Sequence, residues 1–253
     1  MKASASQGAS VDKTHNRWRL GIPGGDSSSY RVAQLDDYAQ LSRRQFPHHS
    51  LTLSLRVRAS SDSSPGTWGC GLWNDPFGLS LGFGGNPFRL PALPNAVWFF
   101  YASEENYLSF KSLSTTAQGG DIQGVAANGF LAQTFRSPSF HPLLIPAGLA
   151  LPFSRKLTRR MLGKVIEEDG IALSVDVNQW HGYSFEWSPK RVAFYVDKAQ
   201  VFESPVSPLA PLGVVIWIDN QYAAFRPDGK IEWGVLEGKE CWIEVEDIVM
   251  RSA

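Results

Sequence analysis

The stretch WHGYSFEWSPKRVAFYVD, residues 180–197, decides how the chain folds. Residues 181–188 form a run in which aromatic side chains recur at alternate positions, as they do in a strand with one buried face. The run that follows, residues 191–203, has Asp197 and Lys198 at its middle. We therefore predict a β-hairpin there, although the glycine that is common in such turns is missing.

Similar signals recur along the rest of the chain. Residues 50–60, SLTLSLRVRAS, alternate between apolar and polar side chains, which indicates a half-buried antiparallel strand. Residues 66–75 and 95–103 are apolar on both faces and are predicted to be central strands. Further strands are predicted at residues 129–137, 212–221 and 241–250. Many short strands without interleaved helices predict an all-β sandwich of two packed sheets.

Residues 1–16 and 141–170 do not follow this pattern. The first segment is small and polar, so we predict that it is disordered and that residues 17–253 form a single domain. The second segment is apolar and proline-punctuated at first and then becomes helical. The predicted helix has Ser154 as its N-cap and ends at Gly170.

The helical segment allows two interpretations. Its apolar side chains can pack on the sandwich, which leaves a solvated basic surface. Alternatively, the segment is interfacial and contacts an anionic membrane or covers a cleft. The apolar stripe expected to pack inward consists of Leu157, Met161, Leu162, Val165 and Ile166.

Composition limits the possible partners. The 253 residues carry a formal net charge of zero, which argues against nucleic acid as a partner. Cys70 and Cys241 are too few for a disulfide framework or a zinc site, so buried free thiols or a single bridge remain open. With Met1 as the start, the N-terminus lacks the apolar core of a signal peptide, which predicts a cytoplasmic protein. No cofactor is predicted.

The chain resembles the laminarinase, lichenase and agarase group of glycoside hydrolases, family 16. Residues 180–197 are similar to that family's aromatic-His-x-Tyr-x-x-Glu-Trp-x-Pro pattern with its Phe-Tyr-Val-Asp hairpin, and residues 65–73 and 241–250 are similar to two of its strands. The resemblance implies a concanavalin-A-like jelly-roll sandwich of two curved antiparallel sheets, with residues 141–170 as an insertion. Members of this fold class often carry calcium, but no Asp-rich spacing here specifies a metal site.

The family's catalytic strand lacks its acids in this chain. The resemblance implies two carboxyls on one strand, acting as nucleophile and general acid about 5 Å apart on the concave face. By order along the chain that strand is residues 95–103, which read NAVWFFYAS. Glu104 and Glu105 follow the strand and point to opposite faces, as turn carboxylates do. The resemblance therefore implies the fold of this family for the chain but not the family's hydrolytic mechanism.

Alternation divides the side chains of this strand between two environments. Trp98 and Phe100 lie on one face, and Val97, Phe99 and Tyr101 lie on the other. Alternation alone does not decide which set faces the cleft, but aligning Ala96 with the first acid of the family's strand places Trp98 where the middle acid would stand. From this resemblance we predict that Trp98 and Phe100 line the concave cleft, with an open side, and that the other three fill the core between the sheets.

Two stretches, residues 72–78 and 216–225, end an apolar strand with Trp and then place Asp beside Asn. Such residues are either turn-formers or polar groups at the rim of the cleft. A carboxyl beside an indole ring would be desolvated and its pKa would rise, so Asp75 and Asp219 are candidate catalytic acids. The candidate ligand-binding residues are Trp73, Asn74, Trp98, Phe100, Trp217, Asn220 and Tyr222.

Three functions fit these residues. The first is a hydrophobic cleft that binds an apolar small molecule (terpenoid, polyene or lipid-like) or assists its cyclisation or isomerisation with an acid. The second is a carbohydrate-binding protein or atypical glycosidase that uses Trp73, Trp98 and Trp217 as stacking platforms. The third is a structural domain without a ligand. A peripheral membrane contact through residues 141–170 is compatible with each, and the oligomeric state is open.

Overall fold

The computed structural model describes residues 1–6, 8–76, 89, 92–110, 128–139 and 141–252. These residues form two seven-stranded sheets, a two-stranded sheet, two α-helices and a short 3-10 helix at Arg43–Gln45. Elements are numbered in chain order. Every neighbouring pair of strands described in these sheets is antiparallel. The all-β jelly-roll sandwich expected from the sequence is confirmed.

The strands of the first sheet, in order across it, are β1 (Lys2–Ala5), β4 (Val32–Asp36), β13 (Gly213–Asp219), β6 (Thr67–Trp73), β7 (Ala96–Ala102), β8 (Gly129–Arg136) and β9 (Glu167–Ala172). Those of the second sheet are β12 (Ala199–Ser204), β11 (Arg191–Val196), β10 (His181–Ser188), β5 (Leu51–Ala59), β16 (Cys241–Arg251), β3 (Arg17–Ile22) and β2 (Ser10–Thr14). The remaining elements are β14 (Gln221–Phe225), β15 (Ile231–Val235), α1 (Leu144–Ala150) and α2 (Arg155–Val165).

The main core lies between the two large sheets and is built from alternate side chains of their central strands. Strand β5 shows why, because its apolar residues are buried in this core while the intervening residues reach the opposite face. On β7, Phe99 points into the same core and its ring lies 5.0 Å from Tyr183 and 5.4 Å from Phe194. The predicted inward set of β7 is therefore confirmed.

Strand β7 is buried on both faces, and all seven of its residues are buried. Trp98 and Phe100 belong to a second apolar cluster on the outer face of the first sheet. The predicted division of side chains is thus confirmed for this strand. A sheet with apolar side chains on both faces needs cover on its outer side, and loops and α2 supply it.

The predicted hairpin at residues 191–203 is confirmed as β11 and β12. Asp197 and Lys198 have φ angles of 49° and 70°, which is the left-handed pair that a type I′ turn requires. Asp197 also accepts a hydrogen bond from the backbone N–H of Gly182 at 2.8 Å, and His181 Nδ1 lies 2.7 Å from its other oxygen. Both contacts lower the pKa of Asp197, and the one with His181 has the larger effect. His181 therefore has a structural partner.

The N-terminal segment differs from the disorder predicted for it. Residues Lys2–Ala5 pair with β4 at the edge of the first sheet, and Ser10–Thr14 pair with β3 at the edge of the second. Backbone hydrogen bonds to an existing sheet edge order these small and polar residues, and side-chain composition does not reveal such pairing.

The helical segment begins as predicted but ends early. The Ser154 hydroxyl accepts a hydrogen bond from the backbone N–H of Leu157 at 3.3 Å, which confirms the N-cap. Helix α2 ends at Val165, and Gly170 lies in β9 opposite Gln133. The predicted end at Gly170 is wrong because these residues complete the edge of the first sheet beside β8.

Both cysteines are free and buried. Burial raises the pKa of Cys70 to about 12 and that of Cys241 to about 11, so neither thiol ionises readily. No helix in the described part of the chain is long and apolar enough to cross a membrane.

Replacing Phe99 by Ala should lower the free energy of unfolding by about 3–5 kcal/mol, because a large ring would be lost from a closely packed core. Phe153→Ala is the matched control, because Phe153 is 90% exposed and should change stability by less than about 0.5 kcal/mol. Urea denaturation of both variants checks this. Equal losses in the two would contradict the assignment of Phe99 to the core.

Candidate functional site

An aromatic cluster covers the outer face of the first sheet. We call this surface the aromatic face and define it by Trp73, Trp98, Phe100, Phe135 and Trp217. Cross-strand pairing brings the residues together, since Phe100 of β7 and Trp217 of β13 both neighbour the same position of β6. Four of the predicted ligand-binding residues therefore meet at one place.

Glycine makes the close packing on this face possible. Gly69 of β6 is the cross-strand neighbour of Trp217, and a Cβ at this glycine would lie 2.7 Å from the indole ring. Gly213 of β13 likewise lies against the ring of Tyr38. Aromatic rings can therefore approach the sheet backbone at both positions.

The rings of the cluster are in mutual contact. Trp73 and Trp217 are nearly parallel, with 6.1 Å between their centroids and 5° between their planes. The Trp98 ring lies 5.8 Å from that of Trp217 and 5.2 Å from that of Phe100. These are ordinary stacked and tilted aromatic geometries, and they make the face one continuous apolar surface.

The aromatic face is largely enclosed. Trp98, Phe100 and Trp217 are 6%, 4% and 7% exposed, whereas Trp73 is partly exposed and lies at the accessible edge. The enclosed position of Trp98 differs from the open side that we expected. The side chains that pack over or beside the cluster come from loops and from α2, and include Tyr38, Phe46, Leu93, Leu108, Phe110 and Leu162.

Each indole N–H on this face has a partner. Trp73 Nε1 donates to the Tyr38 hydroxyl at 2.5 Å, Trp217 Nε1 donates to Thr67 Oγ1 at 2.9 Å, and Trp98 Nε1 donates to Gln133 Oε1 at 3.3 Å. Gln133 is fully buried, and its Nε2 has no hydrogen-bond partner among the residues described. The face therefore contains one unpaired amide donor in apolar surroundings.

Asp219 lies at the rim of the face, at the end of β13. Its carboxylate accepts hydrogen bonds from Thr67 Oγ1 at 2.7 Å and from the Tyr30 hydroxyl at 3.2 Å. Burial raises the pKa of Asp219 to about 6, and the hydrogen bonds from Thr67, Gln221 and Tyr30 act in the opposite direction. The upward direction of this pKa agrees with the expectation from the sequence.

Asp75 lies beyond the other end of β6 and has a different environment. It forms a buried ion pair with Arg89, whose guanidinium also donates to the backbone carbonyls of Tyr38, Ala39 and Leu41. The pair ties the strand end to the segment that covers the aromatic face. Asp75 therefore has a structural partner that the sequence did not reveal.

The structure does not bring Asp75 and Asp219 together. Asp219 is the cross-strand neighbour of Thr67 at one end of β6, and Asp75 follows Trp73 at the other end. The six steps of this strand span roughly 20 Å. Two-carboxylate glycosidases need separations of about 5–10 Å, so these acids cannot form such a pair.

The other predicted polar residues are used by the fold. Asn74 Nδ2 donates to the Leu93 carbonyl at 2.9 Å, and its Oδ1 accepts from the Asn95 N–H at 3.0 Å. Asn220 is fully buried and makes three hydrogen bonds to backbone groups. Tyr222 lies on β14, with its ring against Gly234.

Sequence reasoning missed Glu168 and Gln133. Glu168 is fully buried on the same face as Phe135, its cross-strand neighbour, and accepts hydrogen bonds from Ser109 Oγ at 2.7 Å and from the Phe110 N–H at 2.9 Å. No signal in the sequence pointed to Glu168, because residues 167–170 were predicted to be the end of a helix. Gln133 could have been found as a single amide among the apolar residues of β8.

No family model matches the sequence, and no curated protein matches it. One similar solved structure is an endo-β-1,4-glucuronan lyase from the fungus Trichoderma reesei. It has a TM-score of 0.50 and 11% identity, and the match covers 100% of this chain and 88% of the lyase. A Bacillus licheniformis β-glucanase has a TM-score of 0.47 and 10% identity, covering 99% of this chain and 92% of the glucanase.

A sialidase is also similar, with a TM-score of 0.47 and 8% identity. The match covers 99% of this chain and 17% of the sialidase, so the chain spans about a sixth of that protein's length. At these identities the likeness concerns the fold alone. That fold is the jelly-roll sandwich of two antiparallel sheets described above.

Asp219 should make stability depend on pH. Because its folded pKa of about 6 lies above the ordinary 3.8, the folded state retains a proton that the unfolded state has lost between these values. Stability should therefore fall as the pH rises from 4 to 7, by about 2 kcal/mol relative to Asp219→Asn. Urea denaturation of both proteins at the two pH values measures this. A difference of the opposite sign would contradict the raised pKa.

Proposed function

We propose that the protein binds a saccharide at the aromatic face and recognises it without cleaving it by the two-carboxylate mechanism. The observation that carries this proposal is the parallel pair Trp73 and Trp217 on the outer face of a jelly-roll sheet. The flat face of an indole is a suitable surface for the apolar side of a sugar ring. Trp73 is the ring that a ligand reaches first, because it is partly exposed at the edge of the cluster.

The polar groups beside Trp73 fit the same role. The Tyr38 hydroxyl is 2.5 Å from Trp73 Nε1, and Arg43 donates to the Asn74 carbonyl at 2.8 Å close by. Tyr38 is buried, so of these two side chains the partly exposed Arg43 is the one that can donate hydrogen bonds to the hydroxyls of a sugar ring on Trp73. The fold is shared with a protein named as a glucuronan lyase, which makes oligosaccharides the first ligand class to test.

The distribution of acids favours recognition over hydrolysis. Among the described residues of this face, Asp219 is bonded to Thr67 and Tyr30, Glu168 to Ser109 and Phe110, and Asp36 to the backbone N–H groups of Tyr38 and Ala39. Asp219 and Glu168 lie on β13 and β9, which are four strand spacings apart, or roughly 19 Å. The paired arrangement that a retaining or inverting glycosidase uses needs acids much closer together.

A second candidate function is the binding of an apolar small molecule. The enclosure of Trp98, Phe100 and Trp217 favours it, because a closed aromatic surface excludes water from an apolar ligand. The unpaired Nε2 of Gln133 would supply one hydrogen bond to such a ligand. In this case Asp219, with its pKa of about 6 and its hydrogen bond to Thr67, which accepts from Trp217 Nε1, would be the acid available for proton transfer.

Trp73→Ala should weaken saccharide binding at least tenfold, which is about 1.4 kcal/mol, because it removes the accessible stacking surface. Calorimetric titration with fragments of laminarin, lichenan, xyloglucan and glucuronan measures the affinity. Trp233→Ala is the matched control, since Trp233 is 51% exposed on β15, outside the aromatic face.

Two outcomes would contradict the saccharide proposal. One is the absence of binding to every fragment. The other is equal loss of binding in Trp73→Ala and Trp233→Ala. If native mass spectrometry of the purified protein instead shows a retained apolar molecule that Trp98→Ala releases, the second candidate function is correct.

Purified protein should release no reducing sugar from laminarin, lichenan, agarose or xyloglucan, because β7 carries no acid and Asp219 lies far from both Asp75 and Glu168. The assay should include Asp75→Asn, Asp219→Asn and Glu104→Gln. Release that disappears in any one of these variants would mean that the chain has a catalytic acid elsewhere than on β7.

A further inference from the structure

Helices α1 and α2 and the turn between them form an exposed apolar surface. Five of the eleven exposed large apolar side chains of the described chain fall between residues 145 and 157. We call them the apolar patch: Ile145, Leu149, Leu151, Phe153 and Leu157. Phe153 is 90% exposed, Leu149 69% and Ile145 60%. Exposed apolar side chains concentrated in this way mark an interaction surface.

The orientation of the helices places this patch away from the sheet. In α1, Ala147 is buried, while Ile145 and Leu149 lie four residues apart on the exposed side. In α2, Thr158 and Arg159 are buried and Leu157 is exposed. The prediction that Leu157 packs inward is therefore wrong, and its side chain extends the apolar patch instead.

The same segment is strongly basic. No Asp or Glu occurs from residue 141 to residue 166. Lys156, Arg160 and Lys164 recur at intervals of four residues, so they lie along one side of α2, and all three are exposed. We call these three residues the basic row. Leu157 is exposed on the same helix, so the apolar patch and the basic row adjoin each other.

A small cavity of about 260 Å³ opens beside the basic row and is lined by Phe110, Lys156, Arg159, Arg160 and Pro227. Three of these residues are cations and none is an acid. The cavity is smaller than a site for a drug-sized molecule, but it is large enough for an oxyanion such as a phosphate group. Of the three cations Arg159 is the buried one, and it donates to the Ser109 carbonyl at 2.7 Å.

We propose that α1 and α2 dock the protein on the surface of an anionic lipid bilayer. The apolar patch would enter the boundary between headgroups and acyl chains, and the basic row would contact the lipid phosphates. Lys156 and Arg160 would hold one headgroup phosphate at the cavity. This inference concerns a different surface from the aromatic face and does not depend on saccharide binding.

Charge favours a membrane over a second copy of the chain as the occupant. A two-fold contact through the apolar patch would bring two basic rows close together, since the same surface meets itself. Like charges at that distance oppose the contact. An anionic bilayer instead attracts each Lys or Arg near its surface by about 1 kcal/mol.

The full chain should co-sediment with vesicles that contain phosphatidylserine and not with vesicles of phosphatidylcholine alone. Raising the salt from about 0.1 M to about 1 M should release the protein, because the Debye length falls from about 10 Å to about 3 Å. Arg160→Gln with Lys164→Gln should weaken binding about 30-fold, the factor for two cations of about 1 kcal/mol each. Lys190→Gln with Lys198→Gln, both in exposed turns, is the matched control.

The apolar contribution is tested separately. Leu149→Ser with Phe153→Ser should abolish co-sedimentation and leave the melting temperature unchanged, because both side chains are exposed. Trp233→Ser, at another exposed aromatic residue, should bind like the unmodified protein. Equal binding to both kinds of vesicle, or no binding to either, overturns the proposal. A dimer that becomes a monomer in the Leu149→Ser and Phe153→Ser variant would identify the patch as a self-interface and also overturn it.

Discussion

The absence of a side chain at Gly69 lets Trp217 lie close against the first sheet, and the outer surface of that sheet depends on this contact. From this position Trp217 contacts Trp73, Trp98 and Phe100. Its indole N–H also bonds to Thr67, which in turn bonds to Asp219. A side chain at residue 69 would displace the ring, and with it both the aromatic cluster and the hydrogen-bonded acid at its rim.

The composition of β7 explains why the acids lie at the rims. Because Trp98 and Phe100 occupy the outer face, an ionised carboxylate among them would be desolvated without a cation to pair with. The acids described on this side are found where partners exist: Asp36 with the backbone N–H of Ala39, Asp75 with Arg89, Glu168 with Ser109 and Asp219 with Thr67. An enclosed aromatic floor and a central catalytic dyad exclude each other in this sheet.

Local patterns were enough to predict the sandwich and the hairpin turn at Asp197, because alternation and turn chemistry are properties of neighbouring residues. The face on which Trp98 lies was predicted only by aligning Ala96 with the first acid of the catalytic strand that the resemblance implies. The strands near the N-terminus and the early end of α2 depend on pairing with sheet edges that are distant in sequence. The enclosure of Trp98 and the ion pair of Asp75 likewise depend on residues of other segments. Gly69 and Gly71 alternate with apolar residues in β6, and this pattern could have revealed the face that aromatic rings approach.

Helix α2 connects the two surfaces for which functions are proposed. On its inner side Leu162 packs against the aromatic cluster, and Arg159 donates to Ser109, whose hydroxyl bonds to Glu168 of β9. On its outer side the helix exposes Lys164 and its neighbours in the basic row. Any displacement of α2 on docking would therefore be transmitted to the enclosure of the aromatic face, because closely packed side chains move together. Access of a ligand to the cluster and attachment of the protein to a membrane would then be coupled through one element of the fold.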